Sequence, residues 1–393
     1  MTSGATSGRL SPLRLLQVTA FVSTLDRFVM PPMLIAIAQD LGVPLSQIVQ
    51  AAGAYFLAYG LMQPAWGMVS DWLGLVRTMR LTLFFAAVST TAAAFVGTPI
   101  ALGVARGLTG GFFGAAYPSS LIYIGDTVPT GRRHRHVTDL MVGVALGTAL
   151  ASAGGGAVAQ LASWRIAFLV SGVAALALVF ALRKLPEPPR TRIHGNAFAP
   201  LLRVSRSRSA RLVLALAFAE GAVVLGALTV LPPAVEAAGS SASLAGAVTA
   251  CYGVAVFGFA RLVGHLSHTL HPSRLIGLGA TSAFAACAVM AIDQSAGFAM
   301  GVAVLLALAW TAMHSSLQTW ATEVIPDARA TVVSMFAGSL FVGSAVAAVL
   351  VAGLADAERY GEIFLLAAVT TIPLGLFATF GRARWHGPDE ELA

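Results

Sequence analysis

Twelve apolar runs of about 18 residues or more, separated by short segments rich in turn formers and charge, limit what this chain can fold into. A helix of that length pairs its own backbone groups and is long enough to span the hydrocarbon core of a bilayer. The runs lie near Leu15–Ile37, Ile48–Ser70, Met79–Val96, Ile100–Ile124, Leu140–Gln160, Ile166–Leu182, Leu212–Ala234, Leu244–Leu266, Leu275–Ile292, Gly297–Trp320, Val332–Leu354 and Ile363–Phe380. With 57% hydrophobic and 10% charged residues, the composition excludes an ordinary soluble domain. The first run carries Asp26 and Arg27 and is too long for a signal-peptide core, so it reads as an uncleaved span.

Charge placement sets the expected orientation. With the N-terminus inside, nineteen of the 24 Lys and Arg residues fall in inner segments, among them Arg9, Arg14, Arg190 and Arg192. The outer loops hold only Arg165 and Arg359. That asymmetry predicts a multi-pass protein of the cell (inner) membrane with both termini cytoplasmic. The basic residues sit between the apolar runs and leave no room for a nucleic-acid-reading domain, despite a net charge of +7. A constant offset of 197 residues carries Tyr55 to Tyr252, Gly67 to Gly264, Arg77 to Arg274, Asp126 to Glu323, Pro129 to Pro326 and Arg132 to Arg329. The expected fold is therefore an all-α membrane protein of twelve transmembrane helices in two pseudo-symmetric six-helix bundles, residues 1–182 and 212–393. A basic cytoplasmic linker, residues 183–211, joins them and includes Pro186, Pro188 and Pro189. Repeats of this kind place a substrate site near the midplane between the bundles.

Asp26 is the residue that such a site is read around. It lies about 16–18 Å along the first span, where an unpaired carboxylate costs a few kcal/mol, so it must face protein or water and have a partner. One reading is a proton-carrying or substrate-binding carboxylate; another is a fixed ion pair with Arg27 or a second base. Pro31 and Pro32 remove amide donors from the same helix and favour a bend there.

The loop Gly67-x-x-x-Asp71-x-x-Gly74, followed by Arg77, resembles the signature between the second and third helices of the major facilitator superfamily. The resemblance implies a conformational latch in which Asp71 meets a helix N-terminus. Leu102-x-x-x-Arg106-x-x-Thr109-Gly110 is similar to the family's fourth-helix motif, which implies a cavity arginine linked to proton transfer. Arg106 and Asp26 are then expected to form a switchable pair, the alternative being an arginine that snorkels to the outer headgroups. Gly147-x-x-x-Ala151-Ser152-x-x-Gly155-Gly156 resembles the antiporter motif of the drug-efflux branch, and glycine packing alone would also explain Gly147, Gly155 and Gly156. Leu25-Asp26 with Pro31-Pro32 is similar to the first helix of the twelve-helix drug:proton antiporters.

Further polar residues inside the runs complete the expected site. Glu220 is a second proton carrier, a contact for a cationic substrate, or a static partner of Arg261. Arg27, Tyr55, Tyr59, Gln63, Tyr117, Trp310, His314 and Gln318 are candidates for the substrate cavity. His265, His268 and His271 cover a helix end rather than one face and argue against a metal site; Cys251 and Cys287 sit in apolar runs and imply no disulfide framework.

The resemblance implies proton-driven export of a small amphipathic organic compound by alternating access. The runner-up is proton-coupled uptake of an organic anion through Arg27, Arg106 and Arg261. A membrane-embedded enzyme or sensor is the third reading, and the chain has no P-loop, HExxH or serine elbow to favour it. Expected partners are a small-molecule substrate, protons and the lipid bilayer, with no nucleic acid, no cofactor and a monomeric chain.

Overall fold

Helices form wherever the apolar runs predict them, and prolines, glycines and capping hydroxyls decide where they end. The computed structural model describes residues 12–188 and 199–387. Arg9, Pro189, Arg190 and Arg192 therefore lie outside the described residues. The described chain is all-helical, with twelve membrane-spanning segments: α1 (Pro12–Leu41), α2 (Leu45–Leu73), α3 (Leu75–Ala93), α4 (99–127), α5 (Thr130–Leu161), α6 (Trp164–Lys184), α7 (Arg208–Ala237), α8 (Ala242–Leu266), α9 (Pro272–Ile292), α10 (Ala296–Glu323), α11 (Pro326–Asp356) and α12 (Tyr360–Arg384). Nine of these are, as drawn, long and apolar enough to cross a membrane. Among the other three, α4 is two shorter helices in tandem, and α2 and α3 are diluted by Gln47, Gln50 and Gln63 and by Arg77, Arg80 and several threonines. Large apolar side chains such as Phe95, Ile100, Leu350 and Phe377 are more than half exposed, as lipid-facing residues should be.

Local chemistry explains the punctuation. Pro31 and Pro32 lack amide donors, and α1 passes there through a single 3-10 turn, Pro31–Met33, before continuing as Leu34–Leu41. The same dipeptide at Pro232 and Pro233 does not break α7. Instead α7 widens to a π-turn at Gly221–Leu225, and α10 does the same at Trp310–His314. Ser207 and Ser241 cap α7 and α8 by accepting from Ala210 N at 3.0 Å and Leu244 N at 3.2 Å. Gly74, at φ 105°, turns the chain directly from α2 into α3.

The first six helices meet the last six mainly along α2 against α11 and α5 against α8. Small residues make this close approach possible. A methyl group at Gly60 would sit 2.6 Å from the Gly338 carbonyl, so the two backbones are nearly in contact. On the face away from the termini, Ser46 N donates to Asp356 Oδ1 at 2.6 Å and Ser243 N to Gln160 Oε1 at 3.0 Å, tying the two sets together.

Candidate functional site

Asp26 and Arg106 meet, although they are 80 residues apart. Arg106 Nη1 donates to Asp26 Oδ2 at 3.0 Å, and Nη2 donates to the Asp26 carbonyl at 2.9 Å. Thr90 Oγ1, from α3, donates to Asp26 Oδ1 at 2.6 Å. The guanidinium carbon lies 4.5 Å from the Tyr55 ring centroid and 4.8 Å from that of Phe168. Both charged side chains are buried, so the arginine does not snorkel outward. A pair of this kind is held by its mutual attraction, and removing either member leaves a buried charge at a cost of about 3–5 kcal/mol.

Arg27 points elsewhere, because neighbouring residues on a helix diverge by about 100°. Its Nη2 donates to Tyr59 Oη at 2.7 Å, and its guanidinium carbon lies 4.4 Å from the Tyr59 ring and 5.1 Å from Phe341. Among the described residues it has no carboxylate partner. It faces a cavity of about 50 Å³ whose wall includes Thr148 of α5, Leu225 of α7, Tyr252 of α8, Trp310 of α10 and Phe341 of α11. The cavity thus draws on both sets of six helices, near the middle of the molecule. At that volume it is far below the roughly 300 Å³ of an ordinary ligand pocket, so the helices must separate to admit a substrate.

Glu220 is buried beside α10 rather than beside Arg261. His314 Nδ1 lies 3.2 Å from Glu220 Oε2, and the imidazole stacks on Trp310 with centroids 3.8 Å apart and planes 10° apart. Arg261 is exposed near the end of α8 and packs over Phe257, which removes it as a partner for Glu220 or a contact for substrate. Position along a helix fixes depth but not which way a side chain faces.

Of the expected cavity residues, Arg27 and Trp310 line the cavity. Tyr59 and Tyr55 stand behind it, holding Arg27 and Arg106, and His314 lies behind Trp310. Tyr117 instead turns toward Met141, with its oxygen 3.7 Å from the sulfur, and neither Gln63 nor Gln318 contributes to the lining. Sequence reasoning missed Thr90 and Phe341. Tyr252 appeared in it only as the repeat mate of Tyr55.

The loop between α2 and α3 also differs from expectation. Glu187, not Asp71, takes the free amides at the start of α3: Val76 N donates to Oε1 at 3.1 Å and Arg77 N to Oε2 at 3.3 Å. The signal was an acid set between prolines just after α6, in an otherwise basic stretch. Gly67 has open space around it, Gly74 makes the turn, and the Arg77 side chain is exposed. Glu187→Ala is expected to cost about 1 kcal/mol through the lost cap, read as a lower thermal midpoint in detergent. Asp71→Ala should cost less; the reverse order would return the capping role to Asp71. Gly147 and Gly155 let α5 lie against α1, where added methyl groups would stand 2.7 Å from the Phe21 carbonyl and 2.6 Å from that of Val29. Gly156 faces the Ala242 carbonyl of α8.

A central cavity walled in part by a guanidinium that has no carboxylate partner among the described residues, with a buried ion pair on the neighbouring residue of the same helix, is an arrangement that a membrane transporter uses. The model of the Major Facilitator Superfamily matches residues 16–348. The chain belongs to this superfamily. It is a multi-pass membrane transporter and not an enzyme. Among curated proteins it is 30% identical over 158 residues to the hexuronate transporter of Escherichia coli (strain K12), covering 40% of this chain and 36% of the relative. The match thus spans little more than a third of that relative's length. Among solved structures, the nucleoside transporter NupG superposes with a TM-score of 0.77 at 13% identity, covering 96% of this chain and 100% of that one. The D-xylose-proton symporter gives 0.77 at 15% identity over 97% and 98%. A bacterial homolog of the human lysosomal transporter Spinster gives 0.74 at 19% over 98% and 100%. At these identities the structures share the fold alone.

Proposed function

We propose that this transporter takes up a small organic anion together with protons. Arg27 carries the reading: it is a guanidinium on the wall of an otherwise apolar and aromatic cavity, without a carboxylate partner among the described residues. A substrate carboxylate would supply that partner, with Trp310, Tyr252 and Phe341 packing against its carbon skeleton. A hexuronate is such an anion, and a relative of this chain is named for transporting one. A lipophilic cation, expected of a drug exporter, would meet Arg27 as a like charge.

Electrostatics links the two ligands. With Asp26 ionised, Asp26 and Arg106 cancel and Arg27 is the charge that faces the cavity; a proton on Asp26 adds a positive charge, which the incoming anion offsets. At an effective dielectric of about 20 and a separation of about 8 Å, that mutual attraction is about 2 kcal/mol, roughly a thirtyfold cooperative effect. Proton and anion therefore favour each other's binding, which is what symport requires. Export is the same cycle run backwards.

The test uses proteoliposomes holding a pH dye, with D-glucuronate, other organic acids, nucleosides and lipophilic cations added outside. Internal acidification on addition of an organic acid, beyond that of protein-free liposomes, is the expected result. Proton release from the liposomes during uptake of a lipophilic cation would replace symport with antiport. Transport of every acid without proton movement would remove the coupling.

A further inference from the structure

The mechanism above leaves unused a second acid-base pair, a buried Glu220 and a partly buried His314. Asp26–Arg106 joins α1 to α4, and Glu220–His314 joins α7 to α10, the first and fourth helices of each set of six. The two differ in depth. Arg106 lies about seven residues, or about 10 Å, from the start of α4, which is on the face away from the termini. His314 lies about nine residues, or about 14 Å, from the end of α10, on the face with the termini. Both Glu220 and His314 sit at the edges of π-turns, where an extra residue per turn re-aims the side chains. Glu220 Oε1 is buried without a hydrogen-bond partner.

We propose that Glu220 is the resting counter-charge of the cavity and that His314 takes up a second transported proton when substrate binds. The inference rests on the uptake of an organic anion proposed above. In the empty carrier Asp26 cancels Arg106, and Glu220 offsets Arg27 across Tyr252, which lies within electrostatic reach of both. An incoming carboxylate takes over Arg27 and leaves Glu220 as a buried, uncompensated anion. A proton on His314, 3.2 Å away, removes that penalty. The loaded carrier thus holds one anion and two protons and carries one more positive charge than the empty one.

The surroundings add few rivals for this proton: α9, which packs against the Trp310–His314 turn, carries Arg274 and Cys287 as its titratable groups. On α8 the titratable groups are Cys251, Tyr252, Arg261 and His265, and α1 presents Asp26 and Arg27. Further along α7 stand Arg208, Arg211 and Glu236. On α11 there is none between Arg329 and Asp356, and on α12 none between Glu362 and Arg382. Trp310 shields His314 from the cavity, so the imidazole is reached from the face with the termini once that side opens.

The experiment measures D-glucuronate uptake into proteoliposomes under potassium and valinomycin gradients, with wild type, Glu220→Gln and His314→Asn. Wild type should be accelerated by an inside-negative potential and show a proton-to-anion ratio of two. Both variants should lose the potential dependence and fall to one, with uptake still driven by a proton gradient. Potential-independent wild-type uptake, or an unchanged ratio in both variants, overturns the proposal. A pH titration of tryptophan emission from detergent-solubilised protein needs no substrate and so survives failure of the anion reading. An imidazolium stacked on Trp310 should quench it as pH falls, and the step should vanish in both His314→Asn and Trp310→Phe. No step in wild type, or a step unchanged in both variants, also overturns the proposal.

Discussion

Asp26→Asn, made in a His314→Asn background so that no second proton is carried, is expected to abolish proton-driven accumulation of the anion while leaving exchange of anion for anion across the membrane intact. Asparagine has the shape of a protonated aspartate, its one side-chain oxygen can still accept from Arg106 while its amide NH2 turns to the Thr90 hydroxyl, and it cannot release a proton. The variant is locked in the state that binds substrate, so labelled anion equilibrates to the same concentration on both sides and accumulates no further. Its uptake should also lose the pH dependence assigned to this site. The guanidinium is left without its counter-ion, so a stability loss is expected too, smaller than the about 3–5 kcal/mol for breaking a buried pair outright because the backbone carbonyl and the amide oxygen of residue 26 still accept from Arg106 and two aromatic rings face the cation. Counterflow separates this from misfolding. If this double variant still accumulates the anion against its gradient, Asp26–Arg106 is structural and coupling rests elsewhere, with Glu220 the next candidate.

The parts that were legible in the sequence share a physical cause. A charge inside an apolar run is expensive wherever it sits, so Asp26, Arg106 and Glu220 stood out and required partners. Run length specified the helices almost by itself, because lipid leaves the backbone few other choices. What the sequence did not carry was rotation about each helix axis and contact between distant helices. Glu220 and Arg261 fall in adjacent apolar runs, but Arg261 sits exposed near the end of α8 over Phe257, and the acid meets His314 instead. Thr90 was hidden because α3 has several threonines and only one of them faces Asp26. The paired prolines show the limit of local rules: at Pro31 the helix gives way to a 3-10 turn, while at Pro232 it continues. The resemblance to drug:proton antiporters carried the fold correctly, and the anion proposed here as substrate departs from it because an arginine stands beside the first-helix aspartate and faces the cavity.

That arginine carries the second large effect. Arg27→Gln should raise the KM or Kd for the anion by about thirtyfold to a hundredfold, with little change in kcat. Losing a charged hydrogen bond to a carboxylate in a partly desolvated site costs about 2–3 kcal/mol, at about 1.4 kcal/mol per factor of ten. The lower part of the usual range applies because Arg27 is only half-buried and water can replace some of the interaction. Arg27→Lys keeps the charge but loses the planar fork, and should fall between the two, near tenfold. Stability should change little in either, since Tyr59 keeps its edge contact with Phe341, with centroids 4.5 Å apart, when the guanidinium is gone. The signature is therefore opposite to that of Asp26→Asn, which spares affinity and removes accumulation. A neutral substrate would invert the outcome for Arg27→Gln: removing the charge would leave KM within about threefold of wild type or lower it, and the transported compound would then be uncharged at this end.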